Sequence, residues 1–156
     1  MAQKAFQDYY PDDYSYCYGC GRLNSHGLQI KTFWDNEETV TRFTPDEDHI
    51  AIPGFVYGGM IASLIDCHST GTASAAAYRA QGRAMDTEPA LRFVTASLKV
   101  DFLAPTPLGV ELEIRGKIVE LKEKKVIVET RVMAGETICA KGHVVAVMMP
   151  ETMIRK

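Results

Sequence analysis

The stretch that most restricts this chain runs from about Tyr57 to Tyr78, where GGMIASLIDCHSTGTASAAAY is dense in Ala, Leu, Ile and Met, holds no proline and is long enough for a substantial helix. RAQGRA signals its end. Everything after about Pro89 reads instead as strand: LRFVTASLKVDFL, VELEIRGKIVEL, KVIVETRVM and TICAKGHVVAVMM, separated by PTPLG, KEKK and AGE. Upstream, LQIKTFW and VTRFT alternate apolar and polar side chains on either side of the turn-like DNEE, which predicts a hairpin, and PDEDHIAIPG forms the loop into the helix. Two strands, one long helix and a four-strand antiparallel meander describe an α+β domain whose sheet wraps around a single helix.

At 156 residues and 46% hydrophobic content the chain is expected to form one domain, residues 1–156, with a core that needs neither disulfides nor metal. Residues 1–27, rich in Tyr, Asp, Gly and Ser, read as an irregular or weakly helical arm. A net charge of −3 without a long Lys/Arg run argues against a nucleic-acid partner. The start lacks a signal-type apolar stretch, and no apolar run approaches the ~20 residues of a membrane span, so a cytoplasmic protein without membrane contact is expected. The cysteines, Cys17, Cys20, Cys67 and Cys139, do not form a disulfide framework, and reduced thiols are expected.

Wound at 3.6 residues per turn, the helix carries a bulky stripe of Met60, Ile61, Leu64 and Ile65 and a second face of Gly59, Ala62, Ser63, Asp66, Thr70 and Ala73. Asp66 is the ionisable group among those small residues, in mid-helix where neither a cap nor a first-turn dipole role explains it. It reads either as a solvated surface acid or as a general base or nucleophile. At the helix start, Gly58 and Gly59 leave backbone N–H groups open to a ligand, and such donors suit a developing oxyanion. Eight residues at ~1.5 Å rise put Gly58 and Asp66 about 12 Å apart, so one helix cannot offer both to one carbonyl carbon. Joint action requires two copies of the helix and a site at a homodimer interface.

The arm CYGCGRLNSHGL, the loop-to-helix segment IPGFVYGGMIASLID and the strand VTASLKVDFLAPTPLG together resemble the hotdog-fold acyl-CoA thioesterases, in particular the phenylacetate-pathway (PaaI-like) type, over nearly the whole chain. The resemblance implies a long central helix wrapped by a curved antiparallel sheet of about six strands. It also implies a dimer with two interface sites, often doubled into a dimer of dimers. It assigns Gly58 as the N–H donor to the thioester carbonyl, Asp66 as the acid, and Thr95, ten positions before Pro105, as the residue that positions the carboxylate or the water. Tyr57, Gly59, Ala96 and Ser97 are then expected to contact the substrate. No cofactor is expected, because coenzyme A is part of the substrate. Two positions depart from the family pattern: Tyr57 stands where His usually precedes the glycines, and Ala51 where some relatives carry Asn. Tyr cannot titrate near neutral pH as His does.

Other residues are weighed against this reading. Cys17 and Cys20 have zinc-type spacing, but structural zinc normally takes four ligands and no second pair is suitably spaced, so no metal is expected. His68 points about 200° from Asp66 and reads as packed or interfacial; Cys67 reads as a buried thiol. Arg79, Arg83, Arg92 and Lys99 could meet coenzyme A phosphates but read as solvated charges. The expected function is hydrolysis of an acyl-CoA thioester. The alternatives are a hotdog hydratase or dehydratase, for which His49 would be the available upstream histidine, and a non-catalytic acyl-CoA binding protein.

Overall fold

A computed structural model describes residues 3–154. Strands β1 (Phe33–Asp35) and β2 (Glu38–Phe43) precede helix α1 (Gly58–Ala80), and β3 (Phe93–Phe102), β4 (Leu112–Leu121), β5 (Lys125–Ala134) and β6 (Thr137–Met148) follow it. All pairings are antiparallel, in one sheet of order β1-β2-β4-β5-β6-β3. The β5–β6 turn needs Gly135, whose φ of 61° lies in the left-handed region. Register shifts in the β3–β6, β4–β5 and β5–β6 ladders mark bulges that let the sheet curve around α1. This is the hotdog arrangement expected from the sequence. No helix among the described residues is long and apolar enough to cross a membrane.

The bulky stripe does what its spacing requires. Met60, Ile61, Leu64 and Ile65 pack against Leu112, Ile114, Val132, Ala140 and Val144 of the sheet, and a second cluster joins Ala73, Ala77 and Tyr78 to Phe93, Val126, Val128 and Ala146. From Cys67 to Tyr78 every residue of α1 is buried. The small-residue face is therefore divided. Gly59, Ala62, Ser63 and Asp66 stay at least partly open, whereas Thr70 and Ala73 are enclosed by the chain's own sheet and arm. Smallness there lets the arm lie close: a Cβ on Gly71 would stand 2.5 Å from Gln7 Nε2.

The arm consists of two short 3-10 turns, Phe6–Tyr9 and Asp12–Tyr14, and a loop. The stretch expected as the first strand pairs with β2 only over Phe33–Asp35. Before that its backbone bonds the arm instead, through Leu28 N–H to Tyr18 O, Ile30 N–H to Gly19 O and Phe6 N–H to Thr32 O.

A buried polar seam runs from the arm to the helix. Gln7 Nε2 donates to Thr32 Oγ1 (2.9 Å), which bonds Thr41 Oγ1 (2.9 Å), which bonds His68 Nδ1 (2.7 Å). On the other side His68 Nε2 bonds Thr39 Oγ1 (3.0 Å), Thr39 bonds Thr72 Oγ1 (2.7 Å), and Thr72 donates to the His68 carbonyl (2.8 Å). Each hydroxyl has one proton to give. Starting from the amide of Gln7 and ending on the carbonyl, every donor finds an acceptor only if His68 is neutral with its proton on Nε2. Burial pushes its pKa down to about 3, in the same sense.

Candidate active site

Asp66 stands where α1 passes from its half-open first turns into its enclosed second half. Thr95, exposed on β3, donates its hydroxyl to Asp66 Oδ1. The structure thus joins two of the residues singled out from the sequence, and no other side chain among the described residues hydrogen-bonds this carboxylate. The next residue, Ala96, is the extra one in the β3 bulge: Thr95 pairs with Ala146 and Ser97 already with Val145. Ala96 and Ser97 are exposed on the same strand.

Gly58 and Gly59 open the helix, and both are exposed. The loop before them is fixed by Val56 N–H to Thr106 O (2.9 Å) and Tyr57 N–H to His49 O (3.1 Å), which leaves the first N–H groups of α1 without an intrahelical acceptor. A Cβ on Gly58 would lie 3.3 Å from Phe102 Cζ, and one on Gly59 would lie 2.5 Å from Tyr57 Cε2. Phe102 and Tyr57 therefore flank the two glycines. Beside Gly58 opens an apolar cleft of about 460 Å³, lined among others by Ile52, Phe55, Ile61, Phe102 and Pro105. Ala51, the position without the family's Asn, also lines it.

Phe102, Ile52 and Phe55 escaped the sequence reading because single exposed apolar residues in loops and at strand ends carry no periodic signal. The larger depression lined by Lys99, Glu129, Arg131 and His143 lies on the sheet surface facing away from α1 and holds none of the residues expected to act on or contact the thioester.

The remaining candidates take local roles. His49 Nδ1 accepts the Asp46 N–H (3.0 Å) and its ring packs near Phe43, so its imidazole serves the loop. Arg79 lies over the Trp34 ring (3.7 Å), Arg83 donates to Thr87 and Pro89, Arg92 lies over Tyr10 (4.5 Å) and Lys99 pairs with Asp101 (3.7 Å). His68 is packed in the seam. Cys67 is buried, but its sulfur is not alone: it meets Cys17 and Cys20 of the arm.

One long helix inside one curved antiparallel sheet, with a carboxylate on its open side and paired glycines at its start, defines a hotdog domain. Residues 53–141 match the family described as the thioesterase superfamily, and the chain belongs to that family. A thioesterase superfamily protein from Shewanella loihica is 52% identical, with 81% of this chain and 96% of that one covered at a TM-score of 0.66. The PaaI protein of the Escherichia coli phenylacetic acid degradation operon shares the fold at 15% identity, TM-score 0.63, over 79% of this chain and 81% of its own. A Streptococcus mutans protein solved with acetyl-CoA bound shares it at 18% identity, TM-score 0.61, over 77% and 88%. Comparison with curated protein sequences gives no significant match.

Proposed function

We propose that the protein hydrolyses the thioester of an acyl-coenzyme A to the free acid and coenzyme A, as a homodimer with its sites between the subunits. The observation that carries this reading is the pairing of Thr95 with Asp66 on the open side of α1, which fixes one carboxylate oxygen and leaves the other for water. In the scheme, the Gly58 N–H of one subunit polarises the thioester carbonyl, and Asp66 of the other takes a proton from water as its oxygen adds to the carbonyl carbon. The oxyanion collapses, the carbon–sulfur bond breaks, and the proton held by Asp66 passes to the departing thiolate. Membership of the thioesterase superfamily and the acetyl-CoA in the Streptococcus mutans relative favour an acyl-CoA substrate.

Two copies are needed because about 12 Å of helix separates Gly58 from Asp66. The place for the second copy is β3, an edge strand paired only with β6 and exposed from Thr95 to Lys99, with Phe102 and Leu103 each 56% exposed at its end. The apolar cleft beside Gly58 accepts the acyl chain or the pantetheine arm. The hydratase alternative would need an acid–base histidine beside the glycines, where this chain has Tyr57.

The test is release of free thiol from short, medium, long and aromatic acyl-CoAs by wild type and Asp66→Asn at verified oligomeric state. We expect kcat to fall by about 10²–10⁴ in the variant, with acyl-CoA still bound. Single turnover in ¹⁸O-water should label the released acid and not Asp66. Binding without turnover by wild type would overturn the hydrolase and favour a binding protein.

A further inference from the structure

The sulfurs of Cys17, Cys20 and Cys67 all lie within 4.8 Å of one another, two of them buried and Cys17 part-exposed. Cys17 and Cys20 come from the arm and Cys67 from α1, one position beyond Asp66. Three features separate this cluster from ordinary packing. Four ligands at the zinc–sulfur bond length of about 2.3 Å form a tetrahedron with edges of about 3.8 Å, and the Cys17–Cys67 sulfur separation is 3.9 Å. The loop holding the pair is closed on its first cysteine, with Gly21 N–H donating to Cys17 O (2.8 Å). Gly19 has no Cβ where one would collide with Cys67, so the loop can rest directly on the helix.

The charges also fit. Three thiolates around a divalent ion leave one negative charge, and the part-buried guanidinium of Arg92, held over the Tyr10 ring of the arm, supplies a positive charge on the same side of the fold. We propose that these cysteines bind one zinc ion per chain through three thiolates, with a water as fourth ligand on the open Cys17 side. The ion would displace the thiol protons and clasp the arm to α1 beside Asp66. Spacing alone could not reveal the site, because its third ligand lies far along the chain and becomes a neighbour only through the fold.

The test uses the full-length chain, reduced and purified without chelator. Elemental analysis should give one zinc per chain. After removal of the zinc, Co²⁺ should produce sulfur-to-cobalt charge-transfer absorption with the intense visible bands of a tetrahedral site, and Zn²⁺ should abolish both. Cys17→Ser and Cys20→Ser should lose zinc, whereas Cys139→Ser, whose buried thiol lies elsewhere near Pro105 and Thr137, should retain it. Should the serine variants fail to fold, the wild-type cobalt spectrum still decides. Folded, reduced wild type that fails to take Zn²⁺ from a chelating dye and shows no sulfur-to-cobalt band would overturn the proposal. So would full zinc retention in folded Cys17→Ser, or two of the three sulfurs joined in a disulfide in metal-free protein alkylated at lysis.

Discussion

Substituting Gln for His68 should flatten the acid limb of the stability curve by a calculable amount. In the folded chain burial pushes the imidazole down to about 3, whereas in the unfolded chain it titrates near 6.5. Below about 6.5 the unfolded state therefore binds a proton that the folded state refuses. The stability contributed by neutral His68 is fully present above that pH and is lost as pH falls toward 3. The slope is ~1.4 kcal/mol per pH unit, so about 2 kcal/mol is gone by pH 5. The seam gives a second reason for the refusal: a proton on Nδ1 would turn the Thr41 and Thr32 hydroxyls round and set the last of them against the Gln7 amide N–H, donor facing donor. Urea unfolding of wild type and His68→Gln from pH 8 to pH 5 measures the difference, with all other titrating groups common to both proteins. In wild type alone the contribution corresponds to roughly 4–8 °C of Tm between those limits. Parallel curves for the two proteins, or an NMR titration in which the His68 ring protonates near pH 6 while the protein stays folded, would refute the reasoning.

Thr95→Val removes a charge-assisted hydrogen bond to Asp66 and should lower kcat by about 10–100-fold while leaving KM and the fold intact, measured by thiol release. Gly116→Ala places a Cβ 2.5 Å from His68 Nε2 and 2.8 Å from Thr39 Oγ1. It should cost about 1–3 kcal/mol in denaturant unfolding, and a neutral result would mean that β4 can move away from the seam. Leu98→Asp puts a charge on the exposed edge strand β3 and should break the proposed dimer into monomers by light scattering, abolishing turnover in parallel. A monomeric variant that kept full turnover would show that one chain suffices.

The helix was legible because its composition and freedom from proline left no competing reading, and the residues expected to meet the sheet do so. Asp66 stood out on sequence as a lone carboxylate on a small-residue face, with neither a cap nor a dipole role to explain it. Thr95 was different: on sequence it is one more β-branched strand residue, and the family resemblance singled it out. The first strand was over-read. LQIKTFW alternates, but Gln29 has a φ of 57° and residues before Phe33 bond the arm rather than a strand, so alternation reported burial on one side and not sheet membership. The seam and the thiol cluster were invisible for a common reason. The seam joins residues from the arm, the sheet and the helix, the thiol cluster joins the arm to the helix, and only the fold sets their separations.

Because α1 has no exposed residue between Cys67 and Tyr78, that half of the helix is closed to change by packing on every side. In the proposed hydrolase, adaptation to a new acyl group would come from elsewhere: the loop residues Ala51, Ile52 and Phe55, and Phe102 at the end of β3, which line the cleft and are all exposed. A library confined to those positions explores chain length and shape at little risk to folding. The fold divides its sequence into a conservative axle and a replaceable rim, with Asp66 at the boundary.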